Sequence, residues 1–234
     1  MQSARVIEVP GFEVNTFSIV ARCERTGMVG VCQATHAYAV GARCPWVRAG
    51  VGAVATQAIT DPRLGRLALN LLELGYSAPR ALQEVAASDP HFAHRQVGIV
   101  DRDGNAAAQT GSANKDWAGH ITGQNFVAMG NFLVGARTVE AMAESFQKTE
   151  SLELDERLLR AVEAGRDAGG QHNGQRSAAL VVHWREVFPW VDLRADAHEE
   201  PVGELRRIFT LFQGVKEYMT VRVPNPELPP PPDA

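Results

Sequence analysis

The sequence lacks the features that mark several classes of protein. Only three of its 234 residues are cysteines, Cys23, Cys32 and Cys44, and no two of them have the C-x-x-C spacing. This odd number argues against a disulfide scaffold or a zinc site and predicts a reducing compartment. No apolar run approaches the roughly 18 residues of a membrane span. The first residues also lack the basic region followed by an apolar one that a secretory signal has. We therefore expect a cytoplasmic protein with no membrane partner.

Positive charge is not in excess either. The 23 lysines and arginines stand against 27 aspartates and glutamates, a formal net charge of −4, so the chain lacks the electrostatic footprint of a general nucleic-acid binder. Hydrophobic residues make up 45% of the chain, which excludes disorder. A chain of this length buries roughly 70% of its unfolded surface without disulfides or metals. No linker divides it, so we predict one domain over residues 16–223, an extension at 1–15 and a proline-rich tail at 224–234.

Two pairs of segments with strand character flank short turns. Thr16–Arg22 and Met28–Ala34 enclose a turn that contains a glycine, which can take a positive φ. Gln96–Val100 and Asn105–Thr110 enclose a turn with an Asp-Gly pair, a strong turn signal. The sequence therefore predicts two antiparallel hairpins.

Helices and further strands alternate along the rest of the chain. Asp61 and Pro62 predict the start of a helix, and Gly75 predicts its end. The other predicted elements are a buried strand in the second half of 46–59, helices over about 77–88 and 201–212, and strands over 177–184 and 190–194. Two further helices are predicted, one that carries the apolar residues from Val139 to Phe146 and one that carries those from Leu154 to Val162 and stops before Gly169. The glycine-rich stretch 116–135 receives no element. This order of strands and paired helices predicts an α+β fold with layered packing.

Three short motifs resemble parts of known cofactor-binding or metal-binding sites. Gly50–Ala55 matches the dinucleotide fingerprint G-x-G-x-x-A, but strand-like residues follow it where a helix is needed to hold the pyrophosphate. His91 and His94 lack the i, i+4 spacing and third ligand of a helical metal site. Asp101–Asn105 begins like a calcium loop without its glycine and glutamate, which favours a turn. We predict no cofactor and no metal.

Two patterns suggest a nucleophile. Ser112 and Lys115 have the serine–lysine spacing of penicillin-recognising enzymes, without a second lysine motif or a clear helix to hold them. Thr16 heads an antiparallel hairpin. If it were the first residue of the chain, its hydroxyl could be activated by its own α-amino group, whose ordinary pKa is about 7.7–8.0.

Six segments of the chain resemble, in order, the motifs of one bacterial protein family. They are Thr16–Arg22, Ala39–Ala42, Pro45–Gln57, His94–Asp101, Asp116–His120 and Arg176–Leu180. Together they closely resemble the family numbered 1028 among domains of unknown function, which is placed in the N-terminal-nucleophile hydrolase superfamily. The similarity covers about residues 16–212. It implies a four-layer αββα sandwich of two antiparallel sheets flanked by helices. It also implies amide hydrolysis of a small-molecule substrate, and a possible homo-oligomer.

The resemblance also implies roles for particular residues. Thr16 is implied as nucleophile and base, Arg48 as the cation that supports it, and the strand at 56–58 as the source of an oxyanion hole. The catalytic set is Thr16, Arg48, Gln57 and Asn131, and the substrate-binding set is His36, Thr56 and Ala58. In proteasome-type members an aspartate ends the second strand, where this chain has Thr35 and then His36.

The segment before Thr16 separates two hypotheses of function. Asn15 precedes Thr16, and no methionine lies between Met1 and Met28, so removal of a methionine cannot expose the threonine. If the Asn15–Thr16 bond is cut, we expect an amidohydrolase that acts on a small amide or peptide-like substrate. If it stays intact, the amide nitrogen cannot serve as a base. The alternative is then a non-catalytic ligand-binding or assembly protein on the same fold.

Overall fold

The computed structural model describes residues 15–231. Ten strands lie in this range: β1 (Thr16–Arg22), β2 (Val29–Thr35), β3 (Pro45–Arg48), β4 (Gly52–Ala58), β5 (Arg95–Asp101), β6 (Ala106–Thr110), β7 (Gly119–Gly123), β8 (Phe126–Asn131), β9 (Ser177–His183) and β10 (Val191–Ala195). The α-helices are α1 (Pro62–Glu73), α2 (Ala78–Ser88), α3 (Arg137–Lys148), α4 (Leu154–Asp167), α5 (Pro201–Gln213) and α6 (Lys216–Val221). None of these helices is long and apolar enough to cross a membrane.

The strands form two antiparallel sheets that pack face to face. The larger sheet has six strands in the order β10-β9-β2-β1-β8-β7, and the smaller has four in the order β3-β4-β5-β6. One buried cluster joins their inner faces, with members from both sheets that include Val20, Val31, Ala53, Val100 and Met129. Because side chains alternate along a strand, the neighbours of these residues point outward to the helices.

Helices cover both outer faces. Phe146 of α3 and Leu158 of α4 share a buried cluster with Ile19 of β1. On the other side, Leu72 of α1 is buried with Ile99 of β5. The result is a four-layer αββα sandwich of the α+β class, which confirms the predicted fold.

Local signals in the sequence explain several element boundaries. Asp61 caps α1, since its Oδ1 accepts from the Arg63 backbone N–H at 3.0 Å. Gly75, with a φ of 91°, follows the helix. Gly27, with a φ of 73°, turns the first hairpin. The two predicted hairpins and the start and end of α1 are confirmed.

The strands β3, β7 and β8 and the short α6 were not predicted from the sequence. β7 and β8 lie in the glycine-rich stretch 116–135, where glycine within a strand weakens the sequence signal for that strand. In the fold these glycines allow large side chains to approach the strand backbone closely. A Cβ on Gly130 would lie 2.4 Å from Leu133 Cδ1, and one on Gly123 would lie 2.2 Å from Phe126 Cε1. These strands contain glycine because large side chains pack directly on their backbone.

Candidate functional site

A cavity of about 620 Å³ opens where β1 begins and β4 ends. These two strands belong to different sheets, so the cavity lies at one edge of the sandwich. Its lining residues are Thr16, Thr35, Ala37, Tyr38, Val40, Arg43, Cys44, Ala58, Ile59 and Thr60. Thr16 and Ala58, two of the predicted site residues, are therefore brought together in one cavity.

Thr16 is held on all sides by neighbouring strands. It is 1% exposed and pairs with Thr35 on β2 and with Asn131 on β8. The Thr16 and Thr35 Oγ1 atoms are 3.0 Å apart, within hydrogen-bond distance. Gln57 Nε2 donates to the Thr16 carbonyl oxygen at 3.2 Å across the gap between the sheets. The Thr16 hydroxyl is thus fixed in the cavity wall.

Asn15, the residue before Thr16, is fully buried. Its carbonyl oxygen accepts from the Thr35 hydroxyl and from the His36 N–H at 3.4 Å. Its side-chain Oδ1 accepts from the same His36 N–H at 3.0 Å and from Gln171 Nε2 at 2.9 Å. The peptide bond between Asn15 and Thr16 therefore lies at the start of β1, where hydrogen-bond donors surround Asn15.

Comparison with known proteins assigns the chain to a family. A family model described as a family of unknown function, DUF1028, matches residues 16–205. The chain belongs to this family. The crystal structure of protein SPO2555 from Silicibacter pomeroyi, described with the same family model, is 34% identical over 85% of this chain and 89% of that one, with a TM-score of 0.79. The family prediction is confirmed, and the match begins at Thr16.

A second solved structure is similar at a much lower level. Anbu (ancestral beta-subunit) from Yersinia bercovieri shares 9% identity over 87% of this chain and 97% of that one, with a TM-score of 0.40. No curated protein matches the chain. The N-terminal-nucleophile superfamily and a homo-oligomer stay predictions for this DUF1028 member.

Three predicted residues of this DUF1028 chain belong to the wall behind the cavity. Thr56 donates its backbone N–H to the Cys44 carbonyl oxygen at 3.0 Å, so that N–H is occupied. Gln57 Nε2 also donates to Gln96 Oε1 at 2.8 Å, and Asn131 Nδ2 donates to the same oxygen at 3.0 Å. These side-chain amides join the two sheets. Gln57 and Asn131 therefore support Thr16 from behind and do not line the cavity.

Ala58 ends β4, lines the cavity and has an uncommon backbone conformation. Its φ of 70° is in the left-handed region, uncommon for a residue with a Cβ. Successive residues of a strand point their N–H groups to opposite sides, and the N–H groups of Thr56 and Ile59 point to Cys44 and His94 respectively. If this alternation continues to the last residue of β4, we expect the Ala58 N–H on the Cys44 side, and Ala58 is one of the residues that line the cavity.

Arg48 and His36 are not among the residues that line the cavity. Arg48 pairs with Gly52, at the end of β4 away from Ala58, and its Nη1 donates to Glu73 Oε2 at 2.5 Å on the surface. The structure therefore does not bring Arg48 to Thr16, because β3 runs away from the cavity. His36 contributes its backbone N–H to Asn15, and its ring Nδ1 is 3.3 Å from the Gly174 carbonyl oxygen.

Two other potential nucleophiles are disfavoured. Burial raises the pKa of the Cys44 thiol to about 11, so this cavity residue is protonated at neutral pH. Ser112 and Lys115 lie in a loop rather than on a helix. Within residues 15–231, no group of three or more His, Cys, Asp or Glu side chains could hold a metal ion.

Thr35 and Arg43 line the cavity but were not predicted to have a role in the site. The hairpin register would have found Thr35, since the last residue of the strand after the turn faces the first residue of the strand before it. Arg43 had no such signal, because it reaches the cavity from the loop before β3. Among the residues that line the cavity, Arg43 is the one with a charged side chain.

Proposed function

We propose that this DUF1028 protein is an N-terminal-nucleophile hydrolase that acts on a small amide or peptide-like substrate. The observation that carries the proposal is the position of Thr16. Its hydroxyl lies in the wall of a cavity at the first residue of a central strand, 3.0 Å from the Thr35 hydroxyl. A threonine at this place becomes both nucleophile and base once its α-amine is free.

The proposed reaction uses few groups. The free α-amine of Thr16 takes the proton from Oγ1, which attacks the substrate carbonyl carbon, and the Ala58 N–H stabilises the oxyanion that forms. The amine then protonates the leaving nitrogen, and water cleaves the ester intermediate. Because an amide nitrogen cannot act as a base, the Asn15–Thr16 bond must first be broken.

The cavity lining suggests the class of substrate. Ala37, Val40 and Ile59 offer an apolar wall, while Arg43 supplies a guanidinium at the exposed rim. An arginine binds carboxylates through two parallel hydrogen bonds. We therefore propose a small amide that carries an apolar group and a carboxylate.

A chain in which a single methionine replaces residues 1–15 tests the proposal. Methionine removal exposes Thr16, and every described strand and helix is retained because the first begins at Thr16. We expect this protein to hydrolyse members of a panel of carboxylate-bearing amides. Thr16→Ala should abolish turnover and Thr16→Ser should keep part of it. Full activity of the Thr16→Ala protein would reject Thr16 as the nucleophile.

One observation favours the non-catalytic alternative. Asn15 is buried, and hydrogen bonds hold both its carbonyl and its side chain, so the uncut bond is well accommodated. A full-length chain that stays uncut, is thermally stabilised by carboxylate-bearing amides and never turns them over would support a binding protein.

A further inference from the structure

One polar atom beside Thr16 lacks a hydrogen-bond partner among the residues that the structure describes. Asn15 is fully buried, and no residue of the described chain accepts a hydrogen bond from its Nδ2. Buried side-chain amides are nearly always satisfied, so an exception calls for a physical reason. Here the unpaired nitrogen belongs to the residue whose carbonyl carbon forms the bond to Thr16.

We propose that Asn15 breaks its own bond to Thr16 by cyclisation. Nδ2 attacks the backbone carbonyl carbon of Asn15, which closes a five-membered ring within that residue. The bond between this carbon and the Thr16 nitrogen breaks, and the proton lost from Nδ2 passes to that nitrogen. The products are residues 1–15 with a C-terminal succinimide and a chain that begins with the free amine of Thr16. This inference rests on the proposed function, for which that amine is the base.

Hydrogen bonds to Asn15 favour each stage of the step. A side-chain amide nitrogen becomes nucleophilic when it loses a proton, and the negative charge then resides on Oδ1. Two N–H groups, from His36 at 3.0 Å and Gln171 at 2.9 Å, donate to that oxygen and stabilise the charge. The Thr35 hydroxyl donates to the backbone carbonyl oxygen, where charge develops in the tetrahedral intermediate.

Two competing nucleophiles are less favourably placed. Water is largely excluded, because Asn15 is 0% and Thr16 is 1% exposed. The Thr16 hydroxyl could also attack the Asn15 carbonyl carbon, but it already shares a hydrogen bond with Thr35. Nδ2 has no hydrogen bond within residues 15–231 to give up before it attacks.

The mass of the released segment tests the proposal without any substitution. The full-length chain is made by cell-free translation, quenched in acid at intervals and analysed by intact mass spectrometry. Cyclisation adds no water, so the masses of the two products should sum to the mass of the uncut chain. A product of residues 1–15 that is heavier by one water at the earliest times, as a free acid, would overturn the proposal.

Substitutions provide an independent comparison. Asn15→Ala and Asn15→Gln should slow cleavage by roughly tenfold or more, because the first removes the nucleophile and the second requires a larger ring. Thr16→Ala should still be cut and should release the succinimide. Gln171→Leu should slow the step, since Gln171 is a positioning residue. Thermal unfolding of each variant separates a lost reaction from a lost fold.

The outcomes separate this inference from the proposed function. If Thr16→Ala is uncut while Asn15→Ala is cut to a free acid, the threonine hydroxyl performs the cleavage and the inference is wrong. A wild-type chain that stays uncut would also contradict it. In either case the activity of the chain that begins at Thr16 is measured separately, so the hydrolase proposal stands or fails by its own result.

Discussion

Gln96 offers the sharpest test of how the two sheets hold Thr16 in place. This glutamine of β5 is fully buried. Its Nε2 donates to the carbonyl oxygen of Gly130 at 2.9 Å and to that of Gly119 at 3.1 Å, both in the larger sheet. Its Oε1 accepts from Gln57 and Asn131. The substitution Gln96→Leu keeps the approximate size of the side chain and removes all of these bonds.

The expected loss of stability follows from the buried hydrogen-bonding groups that lose a partner. Two buried donors, Gln57 Nε2 and Asn131 Nδ2, lose their shared acceptor; Gln57 retains its bond to Thr16. Two such losses cost about 2–6 kcal/mol together. The greater apolar area of leucine offsets about 1.5–3 kcal/mol of this cost. We expect Gln96→Leu to lower the free energy of unfolding by about 2 kcal/mol.

Urea denaturation followed by circular dichroism measures the change. Gln109→Leu is the matched control, because Gln109 is exposed on the neighbouring strand β6; its effect should stay within about 0.5 kcal/mol of zero. If Gln96→Leu were as stable as the control, the buried amides would contribute nothing to the contact between the sheets. The structural account of how Thr16 is positioned would then be refuted.

Three further outcomes are expected from single positions. A Cβ at Gly65 would lie 2.1 Å from the indole of the tryptophan in β3, so Gly65→Ala should destabilise the protein by about 1–3 kcal/mol in urea denaturation. The helical control Gly203→Ala meets no atom within 4 Å and should stabilise it by about 0.5 kcal/mol; equal effects would contradict the packing. Because burial raises the pKa of the Cys44 thiol to about 11, iodoacetamide should label it slowly near neutrality and faster towards that pH, whereas rapid labelling at neutral pH would contradict its burial. Hydrogen bonds from Arg63 hold the pKa of Asp61 below its usual value. The contribution of Asp61 to stability is therefore complete above the ordinary aspartate pKa and is lost as the pH falls through the lowered pKa. Asp61→Asn should reduce the loss of stability at acid pH in pH-dependent unfolding, and an unchanged loss would contradict this account.

Residues that act within one element were predictable from the sequence. Asp61 and Gly75 bound α1 through a side-chain cap and a positive φ, both of which depend on a few neighbouring residues. Gly27 and the Asp-Gly pair after β5 likewise determine their hairpins. Thr16 could be selected as a strand-initial threonine, because the first hairpin places it at an open end.

Residues that depend on contacts between elements were not predictable in the same way. Arg48 was expected near Thr16, but the pairing of β3 with the first half of β4 carries it to the opposite end. The strands β7 and β8 were hidden because their glycines are explained only by the large side chains that pack on them.

By itself the sequence determined the two hairpins, the bounds of α1 and the α+β class, since turns, caps and apolar spacing act over a few residues, and six of its segments indicated the family. Only the tertiary structure decided that Asn15, Thr16, Thr35 and Ala58 meet at one edge of the sandwich. These residues come from three strands and the segment that precedes them, and the two packed sheets alone set the distances between them. That Asn15 Nδ2 has no partner within residues 15–231 is likewise a result of its burial, which the sequence alone does not show.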